Sequence, residues 1–151
     1  MKEKVNPIQR KFFFGIIAET TRKKIIRYLK KNNYDFEETY DYKIIVRNIT
    51  FEGFYCKEVT LTLFREVVFD INADLGVFED ENLFKSTSDK LRTTFNCKYE
   101  NYCIINEDTG CAYEDENTVL NFVCRDNQIV VSYTATNVEM ITSRKKCNIN
   151  T

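Results

Sequence analysis

The chain has no histidine and no tryptophan, one proline, and four glycines in 151 residues. The missing histidine leaves a Ser or Cys nucleophile without its usual base. It also removes the nitrogen ligands of a mixed zinc site. Glycines at 15, 53, 76 and 110 form no phosphate-cradling loop. So few Gly and Pro leave little room for a disordered linker. No apolar run approaches the ~18 residues of a membrane span. The N-terminal run FFFGIIA at 12–18 is short for a signal peptide and lacks a small-residue cleavage pattern. These features predict a soluble, cytoplasmic protein. Export, with a signal peptide removed ahead of residue 1, is the alternative.

Six cysteines are present, at 56, 97, 103, 111, 124 and 147. None forms a C-x-x-C pair, and their gaps match no zinc-site spacing. Cys56 and Cys124 fall in strand-like segments, where cysteine behaves as a small hydrophobe. All six are therefore read as reduced thiols, with a Cys103–Cys111 bridge as the rival reading in an exported protein. Carboxylates at Glu107/Asp108 and Glu114/Asp115/Glu116 lack the order of a calcium loop and read as exposed acidic turns. No catalytic, cofactor-binding or metal-binding constellation emerges, so the expectation is a protein that is not an enzyme and carries no cofactor.

What the chain does have is bulk and alternation. Apolar residues make up 43% and charged residues 30%, with twelve Phe and nine Tyr to fill a core. This length suits one domain spanning 1–151. Net charge is −1 but unevenly placed: residues 1–33 hold ten Lys/Arg against Glu3 and Glu19, and the remainder is acidic. A helix over 20–31 gathers Ile25, Ile26 and Leu29 on one side. Lys23, Lys24, Arg27, Lys30 and Lys31 cover the other. That basic face, with Arg10 and Lys11, is the one candidate nucleic-acid surface. An acidic pI near 5.7 and the absence of a nucleic-acid-binding motif count against it.

Residues 51–72 alternate, break at Arg65-Glu66, and alternate again, which predicts an antiparallel hairpin. Val59, Leu61 and Leu63 point one way. After the break, Val67, Phe69 and Ile71 share a face, with Val68, Asp70 and Asn72 opposite. An extended stretch at 42–48 precedes this hairpin. A second helix follows over 82–95, with Leu83, Phe84, Thr87, Leu91 and Phe95 on one side. Extended segments near 98–105 and 110–113 lead to strands at 117–124 and 128–134, joined by an Arg125-Asp126-Asn127 turn. Leu120, Phe122 and Cys124 share a face, and Ile129, Val131 and Tyr133 point inward.

The order of elements thus recurs, with Leu61 and Leu120 59 residues apart. This predicts an α+β fold of two αβββ repeats, about 12–76 and 77–138, with a frayed tail over 141–151. Their strands form a mainly antiparallel sheet with both helices on one face. The other face carries Thr60, Thr62, Val68, Asp70, Asn121, Val130 and Ser132, a mixed polar and apolar surface that suits a protein partner. A plain solvated sheet and a small-ligand pocket between sheet and helices are the competing readings.

Several short motifs resemble a known group. Phe14-Gly15-Ile16, then Thr21-Arg22-Lys23-Lys24 and a helix end at Leu29-Lys30-Lys31-Asn32-Asn33, are similar to the opening of many uncharacterised bacterial proteins. Phe51-Glu52-Gly53 followed by Val59-Thr60-Leu61 resembles their F-x-G, V-x-V hairpin. Leu91-Arg92-Thr93-Thr94-Phe95 with Lys98-Tyr99 resembles their second helix and its K-Y-G turn, with Glu100 in place of that glycine. Their duplicated build is similar to BamE-like and beta-lactamase-inhibitor-protein-like folds, over about residues 12–135. The resemblance implies a scaffold for protein contacts and brings no site residues with it.

Overall fold

A computed structural model describes Ile8, residues 20–51 and residues 53–135. The F-G-I motif, Arg10, Lys11, Cys147 and the tail 141–151 lie outside the described residues. Among the described residues, two helices and eight strands form an α+β fold with one fully antiparallel sheet.

Helix α1 spans Arg22–Lys31, entered through Thr21, whose side chain accepts a hydrogen bond from the Lys24 N–H at 3.4 Å. It closes in a Schellman turn: Asn33 takes φ 57°, its N–H bonds the Lys30 carbonyl, and the Tyr34 N–H bonds that of Leu29. Ile25 and Leu29 are its buried residues. Helix α2 spans Glu81–Tyr99, capped by Asp80, which accepts from the Asn82 N–H at 2.8 Å. Thr87, Ser88, Leu91 and Phe95 are its buried stripe. Leu83, expected on that stripe, is instead 54% exposed. The helix also runs past residue 95, so Lys98 and Tyr99 are helical, not extended. Glu100 continues in αR geometry into a short 3-10 turn, Glu100–Tyr102.

The strands are β1 (Asp35–Glu38), β2 (Lys43–Phe51), β3 (Phe54–Phe64), β4 (Val67–Val77), β5 (Cys103–Glu107), β6 (Gly110–Glu114), β7 (Thr118–Arg125) and β8 (Gln128–Ala135). Their spatial order is β1-β2-β3-β4-β8-β7-β6-β5. Each repeat is therefore one helix followed by four strands, where the sequence pattern predicts three. The two units meet at β4 and β8 in mirrored order.

Both helices cover one face, because their buried residues join a single core cluster with the inward side chains of the strands. Register makes that face continuous. Ile44, Leu61, Ile71, Tyr133, Leu120 and Tyr113 are successive cross-strand partners. A parallel row runs Val46, Val59, Ala73, Val131, Phe122 and Cys111. Full burial of a large apolar side chain contributes ~1.5–3 kcal/mol, so these two rows, with Ile25, Leu29, Leu91 and Phe95 of the helices packed on them, supply much of the favourable side of folding. Arg65-Glu66 and Asp126-Asn127 turn the two central hairpins with φ near 52°, 67°, 53° and 59°. That left-handed geometry matches the strand twist. Arg and Glu are poor residues for it. Two bonds to the entry of α1 hold the first turn: Arg22 N–H to the Glu66 carbonyl, and Val68 N–H to that of Thr20. Gly110 is required by a close approach, since a Cβ there would lie 2.2 Å from the Phe122 carbonyl oxygen.

Candidate interaction face

The face away from the helices is also built in rows. One crosses all eight strands: Glu37, Ile45, Thr60, Asn72, Ser132, Asn121, Ala112 and Ile105 are successive partners. A second runs Lys43, Thr62, Asp70, Thr134, Val119 and Glu114. A third runs Asp35, Arg47, Glu58, Asp74, Val130, Val123 and Gly110. Thr60, Thr62, Asp70, Asn121, Val130 and Ser132 thus lie together on this face, each half-buried by its neighbours.

Val68 does not belong with them. It is 0% exposed and sits in the core. The register shifts between Thr62, opposite Asp70, and Leu63, opposite Val68, so Phe69 is an extra residue in β4. Such a bulge flips the alternation beyond it. Val68 therefore faces inward, and Val67 packs with Ala135 and Phe69 in a small separate cluster. The strict period-2 reading of 67–72 cannot contain this step.

Chemistry grades across the face. At the β1–β3 end, Arg47 pairs with Glu37 and lies 3.9 Å from Glu58. In the middle, Ser132 donates to the Asn121 side-chain oxygen at 2.8 Å, and the Thr134 hydroxyl donates to Asp70 at 2.5 Å. Gln128 donates to Asp74 at 3.3 Å. Towards β5 the surface turns apolar, with Val123 41% and Ile105 47% exposed. Each hydroxyl and amide oxygen keeps acceptor capacity beyond these bonds, so a partner can hydrogen-bond the middle while covering the apolar end. Asn72, Val119, Val123 and Thr134 belong to the face as well, and the alternation of their strands signals each of them.

The other sequence candidates are placed as follows. Lys23, Lys24, Arg27, Lys30 and Lys31 are all exposed, opposite Ile25 and Leu29. Lys30 and Lys31, in the last turn of α1, suit the negative end of the helix dipole, whereas Lys23 and Lys24 sit in its first turn. Asp115 ties down its own loop. It accepts from the N–H groups of Asn117 and Thr118, each at 2.8 Å, and from that of Ile8 at 3.1 Å. Among the described residues no group of three or more His, Cys, Asp or Glu is arranged to hold a metal ion.

Cys56, Cys97, Cys103, Cys111 and Cys124 are free thiols. Register sets Cys103 opposite Tyr113, and Cys111 opposite Asn106, so the proposed Cys103–Cys111 pair is not directly cross-strand. Under α2, Arg92 donates to Asn106 and to the Cys111 sulfur, both at 2.9 Å, and to the Asp108 carbonyl at 3.3 Å. This arginine pins the β5–β6 hairpin to the helix. Beside it the Tyr113 hydroxyl donates to Asn96 at 2.5 Å. Burial first, then the neighbouring Cys111 and Cys103, push that phenol well above its ordinary pKa. Burial likewise raises the Cys124 thiol.

A cleft of about 120 Å³ lies beside the β1–β2 loop, lined by Arg22, Thr39, Tyr40, Tyr42, Lys43, Leu63 and Glu66. Ligand sites usually occupy ~300–1,000 Å³. This cleft is smaller, and it sits at the sheet's end instead of between sheet and helices. Among the described residues no helix is long and apolar enough to cross a membrane. Compared with known proteins, the chain matches no family model, no curated protein and no solved structure. The resemblance to BamE-like and inhibitor-protein-like folds rests on the short motifs alone.

Proposed function

We propose that the chain is a non-enzymatic protein-binding module whose partner seats on the open sheet face. The observation that carries this reading is the grading of that face. A strip of Thr, Ser and Asn runs towards exposed Val123 and Ile105. The Arg47–Glu37 pair and Glu58 lie at the far end, Asp70 and Asp74 in the middle, and Glu107 and Glu114 flank the apolar pair. Mixed polar and apolar area of this kind is typical of non-obligate interfaces. Centrally placed hydroxyls and amides supply orientation, and the valines and isoleucine supply area to remove from water.

The test is affinity capture from the source cell with the wild type beside a Thr62→Arg, Asn121→Arg double variant. Thr62 and Asn121 lie on opposite sides of the β4–β8 seam, so two arginines obstruct both halves of the face. A partner retained by the wild type and lost by a folded double variant supports the reading. A partner held equally by both places the site elsewhere.

A further inference from the structure

The two edges of the sheet differ in a way that the open face does not explain. Strand β1, Asp35–Glu38, carries three exposed carboxylates in four residues. Charge on an edge strand is the usual guard against unwanted strand pairing. Strand β5, at the other end, reads Cys-Ile-Ile-Asn-Glu. Its Ile104 is 57% and its Ile105 47% exposed, and its one charge is Glu107. Among the described residues β6 is its one strand neighbour.

We propose that β5 pairs antiparallel with β5 of a second copy of this chain, joining two eight-stranded sheets across a two-fold axis. The charges select this occupant among the ways two copies can meet edge to edge. Pairing β1 with its own copy sets carboxylates against carboxylates, and like charges directly opposite are destabilising. Pairing β1 with β5 lays carboxylates over Ile104 and Ile105 and generates an open, head-to-tail chain. Pairing β5 with itself about Ile105 sets Ile105 against its own copy and Glu107 against Cys103, with no like-charge contact. It also closes at two copies, because both outer edges are then the acidic β1. The open faces stay on one side of the joined sheet, so Ile105 and Val123 of both copies converge at the axis. This goes beyond the proposed function and does not depend on it: the contact is an edge, and its occupant is the chain itself.

The experiment is sedimentation velocity on the full chain over a wide concentration range, with Ile105→Lys and, as control, Val77→Lys. Val77 is 68% exposed but lies on β4, away from that edge. The expected result is a mass twice that of the 17.9 kDa chain for wild type and Val77→Lys, and a single-chain mass for folded Ile105→Lys. If Ile105→Lys does not fold, as read by circular dichroism, Ile104→Lys takes its place. A wild type that stays single at every concentration overturns the proposal. So does open-ended assembly, a dimer that survives the β5 lysine, or a dimer lost equally in Val77→Lys.

Discussion

Replacing Leu61 and Leu120 with alanine, singly and together, probes whether the buried rows form one continuous core. Both leucines are 0% exposed and lie in the same row, Leu61 on β3 and Leu120 on β7. Each truncation removes buried carbon and leaves a cavity in a close-packed layer, a loss of about 2–5 kcal/mol. The strand order sets their separation. From β3 to β7 is three steps, through β4 and β8, or about 14 Å at ~4.8 Å per strand. Sites that far apart add within about 0.5 kcal/mol. The double variant should therefore lose about 4–10 kcal/mol, a large part of the ~5–15 kcal/mol of a whole domain. Urea titration followed by circular dichroism reads this. With m near ~2 kcal/mol/M, each single variant shifts the midpoint by about 1–2.5 M. A single loss below about 1 kcal/mol would refute full burial at that position. Coupling above about 1 kcal/mol between the two would refute their separation across the β4–β8 seam.

The remaining predictions concern the bulge, a buried phenol and the basic helix. Val68→Lys should cost several kcal/mol by burying an unpaired ammonium, whereas Val130→Lys should cost no more than about 1 kcal/mol; equal urea midpoints would show that β4 carries no phase change at Phe69. Tyr113 keeps its proton in the fold above pH ~10, where unfolded chains release theirs, so its contribution to stability is complete below pH ~10 and falls as pH rises beyond it. Tyr113→Phe should lose about 1 kcal/mol at neutral pH with its bond to Asn96, yet fall less than wild type in urea titrations at about pH 11; parallel falls would contradict the raised phenol. A gel-shift assay with mixed RNA and DNA should show no binding at physiological salt, and a micromolar, salt-sensitive complex abolished by Lys23→Glu, Arg27→Glu, Lys30→Glu would overturn that expectation.

The parts of this structure that are legible in the sequence are those governed by local periodicity. Val59, Leu61 and Leu63, and again Ile129, Val131 and Tyr133, alternate because one face of each strand meets the core, and that period needs no tertiary information. Asp126-Asn127 announces its turn through side chains that tolerate positive φ. Val68 is misplaced because a bulge is a property of strand pairing, and the Val-Val-Phe run around it reads equally well in either phase. Strand β1 is missed because Asp-Phe-Glu-Glu offers one apolar residue, Phe36, to the core and three carboxylates to solvent. The end of α2 is cut short because Asn96, Cys97 and Lys98 follow Phe95 with no buried position, although Tyr99, at the i+4 spacing, continues the stripe by stacking on Phe95. For the open face, polar side chains at alternate positions mark which residues lie on it. The lateral rows that bring Asn121 beside Ser132, and Thr62 beside Asp70, depend on strand order and register.

Whether the graded open face binds a protein is decided by quantitative capture from the source cell with wild type and the folded Thr62→Arg, Asn121→Arg variant. The recovered partner is then titrated against each purified chain. A partner seated on this face should bind the wild type and lose at least tenfold in affinity with the variant, about 1.4 kcal/mol. Equal affinity for both chains would place the binding surface elsewhere and contradict the proposed function.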